Sequence, residues 1–158
     1  MKLKLNREFL VRHLFAFAVF AALGGWFGFD ALVRYPAADA AALYKAIEGS
    51  EPAKGTDLES FKRGKIATQR VFAILALLAA AGVGIHLAAV ALVRVDWDDA
   101  GFSAGGVKRQ WADVASVDDS LWEKKGVLRL SGEGWKLTLD AWHHTGVKEF
   151  FKKIQDRG

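Results

Sequence analysis

The feature that most constrains this chain is a 23-residue run, Val71–Val93, in which His86 is the only side chain that is neither apolar nor glycine. A helix needs about 20 such residues to cross the hydrocarbon core of a bilayer. Arg70 and Arg94 flank the run, and their side chains can extend to the headgroups. The run therefore predicts a membrane-spanning helix rather than the buried helix of a soluble enzyme.

A second apolar stretch, Leu14–Phe29, follows a basic N-terminal segment, and the residues before it extend it to about 9–29. We interpret this stretch as the first span. A secretory signal peptide is the competing interpretation, because a basic segment before a short apolar core is also what such a peptide requires. The aromatic-rich end of the stretch, GGWFGF, offers no small-x-small cleavage site, which favours a retained span.

Charge and composition indicate where such a protein lies. The 158 residues carry a formal charge of +4 and no cysteine, which excludes disulfides, thiolate metal sites and covalent haem attachment. Basic residues are spread along the chain, which suits anionic lipid headgroups better than nucleic acid. Lys2, Lys4, Arg7 and Arg12 lie at the N-terminal end of the first span and predict that both termini are cytoplasmic.

The connecting segment, residues 30–70, is longer than a hairpin connection needs and has helical signals of its own. Pro36 is placed to occupy the first turn of a helix that ends at Gly49. Thr56 and Glu59 have the spacing of a capping box, so a second helix is expected to begin there and continue into the second span.

Small residues recur at helical spacing in both predicted spans, where they allow helix backbones to approach closely. They are Gly24, Gly28, Ala76, Ala80, Gly84 and Ala88. Two interpretations are open. The residues form a surface that docks a larger membrane complex or a second copy of the chain, or they pack the two spans against each other.

The sequence after Arg94 changes to short alternating runs separated by glycine turns, which is typical of small antiparallel strands. The last segment, 145–156, places apolar residues at the spacing of an amphipathic helix. The predicted strands cover residues 94–97, 101–104, 107–111, 114–120, 126–130 and 135–140.

About the last 60 residues resemble the bacterial pleckstrin-homology-like (PH-like) domains of small two-span membrane proteins. The matching features are Gly101-Phe102, Trp111 with Asp113-Val114, Trp122 followed by Lys125-Gly126, and Leu139-Asp140 with Trp142. The resemblance implies a PH-like antiparallel sheet capped by a C-terminal helix, acting as a non-catalytic binding or scaffolding module at the cytoplasmic face. The predicted fold class is thus a transmembrane helical hairpin, 1–93, followed by a small β-rich domain, 94–158.

Five tryptophans lie in this C-terminal part, and a domain of this size needs most of them in its core. We expect Trp111 and Trp142 to be buried. Trp122 lies beside Lys124 and Lys125, and we expect these three residues to contact lipid headgroups or a partner protein.

The histidines are the remaining candidates for chemistry. His143 and His144 are adjacent on an extended segment and point to opposite sides, so they do not predict a metal site. His86 lies within a span, where an imidazole needs a partner. An interhelical hydrogen bond is one interpretation, and ligation of a haem or chlorophyll is another. His13 lies nearer the membrane surface, which argues against a bis-histidine haem shared with His86.

No nucleotide-binding or hydrolase motif accompanies these features, so neither catalytic residues nor metal ligands are predicted. The leading hypothesis is a non-catalytic accessory or scaffold subunit that docks a larger membrane complex through its spans and its PH-like domain. The alternatives are a membrane-anchored module that senses lipid or peptide, and a tetrapyrrole-carrying subunit that uses His86. The expected partners are membrane lipids and other membrane protein subunits.

Overall fold

The computed structural model describes residues 1–156 of the chain. Residue contacts divide it into two compact units, Leu14–Gly84 and a unit that joins Met1–His13 to Ile85–Gly158. The sequence-based division into 1–93 and 94–158 stays a prediction. The segment before the first long helix therefore belongs, by its contacts, with the C-terminal module. The helices are α1 (Arg7–Phe29), α2 (Tyr35–Ala37), α3 (Ala40–Glu48), α4 (Leu58–Leu92), α5 (Trp122–Lys125) and α6 (Val147–Gln155).

Helices α1 and α4 are the two long apolar helices that the sequence predicted. The first continues through a π-helical turn, Asp30–Arg34, into α2. Each helix is long and apolar enough to cross a membrane, and only 17% of its most apolar 18-residue window is buried. The core helix of a soluble protein is mostly buried. Compared with such a helix, α1 and α4 expose a much larger share of their apolar side chains.

The segment between the long helices is helical, as predicted, but its caps differ from the predicted ones. Helix α3 begins at Ala40 because the carboxylate of Asp39 accepts hydrogen bonds from the backbone N–H groups of Ala41 and Ala42, each at 3.0 Å. The predicted start at Pro36 is wrong, since Pro36 lies in the separate helix α2. The predicted end is confirmed: Gly49 adopts a left-handed conformation, with φ of 73°, that favours glycine.

The predicted capping box at the start of α4 is also wrong. Asp57 caps this helix, and its carboxylate accepts a hydrogen bond from the N–H of Ser60 at 3.0 Å. The hydroxyl of Thr56 instead donates to the carbonyl of Ala53 at 2.8 Å. The continuation of the helix into the apolar run is confirmed, because α4 is unbroken for 35 residues.

The C-terminal module is β-rich and antiparallel, as predicted. One three-stranded sheet has the order β2-β3-β4 and the other has the order β5-β6-β7. Within the first sheet Phe102 pairs with Arg109, and within the second Leu128 pairs with Leu139. The strands of these sheets are β2 (Val95–Trp97), β3 (Gly101–Ala104), β4 (Val107–Gln110), β5 (Ser116–Asp118), β6 (Val127–Gly132) and β7 (Trp135–Asp140).

The predicted amphipathic helix near the C-terminus is present as α6, and it closes one core that both sheets share. Val147 and Phe150 are fully enclosed, and the ring of Phe150 lies 5.3 Å from that of Trp97. The buried core residues are Leu3, Val95, Trp97, Phe102, Leu128, Leu130, Leu139, Val147, Phe150 and Phe151. Trp111 is half-buried against this core, whereas the expectation for Trp142 is wrong, since it is 40% exposed.

An N-terminal arm adds to the module. Strand β1 (Lys4–Leu5) pairs with β8 (His144–Thr145), and Lys2 bridges to Asp96. The N–H of Leu3 donates to the carbonyl of Val95 at 2.9 Å, and the Leu3 side chain enters the core. The arm thereby covers the open edge of β2, which would otherwise present unpaired backbone groups.

Candidate functional site

The small-residue positions are largely used in packing α1 against α4 within the unit Leu14–Gly84. A Cβ atom built at Gly24 would lie 2.7 Å from Cδ2 of Leu77, and one built at Gly84 would lie 3.4 Å from the ring of Phe17. A Cβ atom at Gly28 would be at ordinary contact distance, 4.0 Å, from the Cβ of Ala73. These distances allow close helix contact only where a side chain is absent or small.

Two further members of the small-residue set, Ala76 and Ala80, are buried together with Ala73. Their spacing of three and four residues places them on one face of α4. Ala88 differs from the others because it is exposed. Of the six predicted positions, it is therefore the one left open to a partner.

The four histidines of the chain converge in the unit that contains Met1–His13 and the C-terminal module. The rings of His13 and His86 have centroids 5.4 Å apart, those of His86 and His143 are 5.5 Å apart, and those of His143 and His144 are 6.4 Å apart. Sequence reasoning placed His13 nearer the surface than His86 and kept His143 separate. The residues are distant in sequence, so no local pattern signals this cluster.

Phe9 is the centre of the histidine cluster and is completely buried. Its ring lies 4.0 Å from His13, 4.7 Å from His143 and 5.8 Å from His86, measured between centroids. Phe9 and His13 share one face of α1 because they are four residues apart. The Nδ1–H of His13 donates to the carbonyl of Phe9 at 2.8 Å, which fixes the orientation of that imidazole.

His86 is packed against aromatic rings from α1, as an interhelical role requires, and one side of the residue remains exposed. Within residues 1–156 the contact is ring packing without a hydrogen bond to His86. A tetrapyrrole held between His13 and His86 would need its macrocycle between the two rings. The 5.4 Å separation of their centroids leaves no room for that arrangement.

His144 is buried and contacts the last turn of helix α4. Its Nε2–H donates to the carbonyl of Val90 at 3.2 Å, a last-turn carbonyl that also accepts from the N–H of Val93 at 3.1 Å. Its Nδ1 atom is buried without a hydrogen bond in the part of the chain that the structure describes. Burial lowers the pKa of His144, and the neighbouring His143 adds to this effect, while the bond to Val90 acts in the opposite direction.

The chemistry of the cluster is set by these partners. His143 Nδ1 lies 3.8 Å from a carboxylate oxygen of Asp140, and the guanidinium of Arg12 lies 5.3 Å from the ring of Trp142. No group of three His, Asp or Glu side chains in residues 1–156 has an arrangement that would hold a metal ion. The cluster joins the two long helices to the segment after β7.

The predicted contact residues Trp122, Lys124 and Lys125 lie in helix α5. Trp122 is half-buried, and its ring stacks on that of Phe151 at 4.9 Å. Lys124 and Lys125 are exposed. The structure thus divides this predicted set into a tryptophan that packs on the core and two lysines that face solvent.

Comparisons with protein-family models, with curated proteins and with solved structures find no match to this chain.

Proposed function

We propose that this protein is a non-catalytic integral membrane subunit whose two long helices span the bilayer and whose β-rich module serves as a docking platform for partner proteins. One observation carries the proposal: α1 and α4 keep only 17% of their most apolar windows buried. Their outward residues include Phe15, Trp26, Leu78 and Ile85, all of them well exposed. Lipid is the solvent that favours such a surface.

The proposal includes a PH-like character for the module and a cytoplasmic position for it. Two three-stranded antiparallel sheets closed by a C-terminal helix support the PH-like resemblance. The pairing of β1 with β8 supports a common side for the two ends of the chain. Lys2, Lys4, Arg7 and Arg12 support the cytoplasmic side of a bacterial inner membrane, because positively charged flanks are retained there.

The membrane part of the proposal is tested by alkaline carbonate extraction of membranes that contain the full chain. We expect the wild-type chain to stay in the membrane pellet. The double substitution Leu75→Arg, Leu78→Arg places two charges on an exposed face of α4, at a cost of about 3 kcal/mol each, and should release the chain or prevent its insertion. Release of the wild-type chain would overturn the proposal.

A matched control introduces the same two charges elsewhere. Val107→Arg, Val117→Arg changes two exposed valines in β4 and β5 and should leave the chain in the pellet. If this control is released as completely as the α4 variant, the loss of membrane attachment reflects general misfolding rather than the apolar face of α4. That outcome would remove the evidence for a span.

The subunit role is tested by purification of the full chain from its native membrane in mild detergent. We expect other membrane proteins to purify with it in fixed stoichiometry. Ala88 is the exposed member of the predicted small-residue set, so Ala88→Trp should lower the recovery of those partners more than Ala81→Trp, which changes an exposed alanine of the same helix outside that set. A monomer without partners would overturn the subunit role while leaving the membrane assignment intact.

A further inference from the structure

A pocket of about 330 Å³ opens in the module where helix α4 ends. One wall is the last turn of α4, with Ala89 and Leu92, which continues through Val93 into β2. The other walls come from the turn after β3, from Arg109 of β4 and from the start of β7. All of these residues belong to the unit that contains the module.

Three basic residues line the pocket. They are Arg94, Arg109 and Lys136, and the described lining contains no carboxylate. None of the three forms a salt bridge with another residue in the range 1–156. Three cations that line one pocket without acidic partners favour an anionic ligand, since each keeps its charge and its hydrogen-bond donors available.

Arg109 is already oriented in this pocket. Its guanidinium carbon lies 4.9 Å from the ring centre of Trp135, and its Nη1 donates to the carbonyl of Val107 at 3.2 Å. These contacts hold the planar guanidinium over an aromatic floor and reduce the entropy lost when it binds an oxyanion. The residue is half-buried, in contrast to the freely exposed Lys124 and Lys125.

Much of the remaining pocket lining is apolar. Leu92 is 72% exposed, and Ala89, Val93 and Leu137 extend the apolar lining from it. A ligand that contacts both the cationic and the apolar lining residues has a phosphate at one end and a hydrocarbon chain at the other. A free phosphate would use the cations and leave the apolar wall in water.

We propose that this pocket binds the phosphate headgroup of an anionic phospholipid, with Arg94, Arg109 and Lys136 around the phosphate and the last turn of α4 against an acyl chain. The inference rests on the proposed function, because it requires the end of α4 to lie at the membrane surface. It replaces the sequence-based expectation that Lys124 and Lys125 contact lipid headgroups.

The pocket beside helix α5 illustrates the difference. Trp122 lines that pocket together with Lys148 and Lys152, but so do the acidic residues Glu123 and Glu149. Because charges of both signs line this pocket, its net attraction for a phosphate group is small. The chain therefore has one pocket of uniform positive charge among those described, and it lies where an apolar helix ends.

The experiment uses the full chain purified in a neutral detergent and measures lipid retention by native mass spectrometry. Phosphatidylglycerol, which is anionic, and phosphatidylcholine, which is zwitterionic, are added in equal amounts. We expect one phosphatidylglycerol to be retained in preference to phosphatidylcholine. The double substitution Arg109→Gln, Lys136→Gln should lower its apparent affinity about tenfold or more, because two of three phosphate contacts lose their charge.

The matched control is Lys124→Gln, Lys125→Gln, which removes the same charge from an exposed helix and should leave lipid retention unchanged. If both double variants lose the lipid equally, general surface charge explains the binding. That result would overturn the proposal that this pocket is the binding site. Should the first variant unfold in detergent, Lys136→Gln alone provides the test, since this exposed lysine has no bond in the described structure that the change would break.

Two further arms separate the possible failures. Inorganic phosphate and glycerol phosphate are added as competitors, and displacement of the lipid at similar concentrations would overturn the lipid in favour of a soluble phosphate ligand. A chain that resists carbonate extraction but shows no preference for phosphatidylglycerol overturns the lipid site alone. A chain that fails carbonate extraction overturns the proposed membrane function, on which the site depends.

Discussion

The hairpin and the module bury opposite kinds of residue. In the unit Leu14–Gly84 the buried positions between the long helices are small, such as Gly24, Ala76 and Ala80, whereas large apolar residues such as Phe15 face outward. In the module the large residues are inside, and Phe150 is among those with no exposed surface. The same chain thus buries small residues in one part and large apolar residues in the other.

The difference follows from what surrounds each part. In water, burial of large apolar side chains supplies most of the stabilisation, so the module places aromatic residues in its core. If the two long helices span a bilayer, as proposed, that driving force is absent between them, and close packing of small residues takes its place. Substitutions that add volume should therefore act differently in the two parts, and each has a glycine that tests this.

The largest effect is expected at Gly101 of the module. A Cβ atom at this position would lie 2.1 Å from the carbonyl oxygen of Arg109, which is backbone of the paired strand and cannot rotate away. Gly101→Ala should lower the free energy of unfolding of the module by about 3 kcal/mol. Urea denaturation in detergent, followed by near-ultraviolet circular dichroism of the tryptophans, measures this loss.

Ser103→Ala is the matched control, because it lies on the same strand and removes atoms without adding any. It should change the free energy of unfolding by less than about 1 kcal/mol. The helical signal in the far ultraviolet should survive in Gly101→Ala at urea concentrations that unfold its module. Simultaneous loss of both signals would contradict the view that the two parts are stabilised separately.

A smaller effect is expected at Gly24 of the hairpin. An added Cβ would lie 2.7 Å from the end of the Leu77 side chain, which can move part of the way aside. Gly24→Ala should therefore lower the thermal stability of the hairpin in detergent by about 1 kcal/mol. Helical circular dichroism during heating is the measurement.

The adjacent Gly25 provides the control for helix propensity. A Cβ atom there would meet nothing within 4 Å, so Gly25→Ala gains the propensity of alanine without a clash. The variant should be as stable as wild type or slightly more stable. If Gly24→Ala and Gly25→Ala behave alike, small-residue packing does not hold the hairpin together, and the contrast with the module loses its basis.

The smallest effect is a pH dependence that belongs to the module alone. Because the pKa of His144 is lowered in the folded state, the unfolded chain binds its proton at higher pH. The free energy of unfolding should be unaffected by His144 above its ordinary pKa of 6.5 and should fall as the pH drops below that value. One proton gives a slope of at most about 1.4 kcal/mol per pH unit.

Urea denaturation of the module at a series of pH values between 5 and 8 measures this slope. His144→Gln cannot titrate and should show a shallower dependence, although loss of the contact with Val90 will lower its stability at every pH. The hairpin signal should not follow the same pH course. An unchanged slope in His144→Gln would show that another group causes the dependence.

The long helices and most strands of the module were predictable from local sequence, because the length of an apolar run and the alternation of residues are local properties. The strand Gly101–Ala104 and the helix end at Gly49 match their predicted positions. The helix starts were less predictable. Asp39 and Asp57 compete with nearby residues that also have capping chemistry, and only the backbone geometry selects between them.

The histidine cluster and the cationic pocket could not be predicted, since both depend on contacts between distant segments. His13 lies in α1, His86 in α4 and His143 in the turn after β7. Arg94 precedes β2, Arg109 lies in β4 and Lys136 lies in β7. The N-terminal arm is different, because a local signal was present. Lysine and leucine alternate in MKLKL, which is the pattern of a strand with one buried face.

The pairing of β1 with β8 also orders events during synthesis. Lys4 and Thr145 are paired across 141 residues, so the arm emerges from the ribosome long before its partner strand exists. Both long helices are made in the interval, and the arm must stay unpaired during their synthesis. Closure of so distant a contact is slow, which makes the docking of this short strand a candidate for the last step in the maturation of the protein.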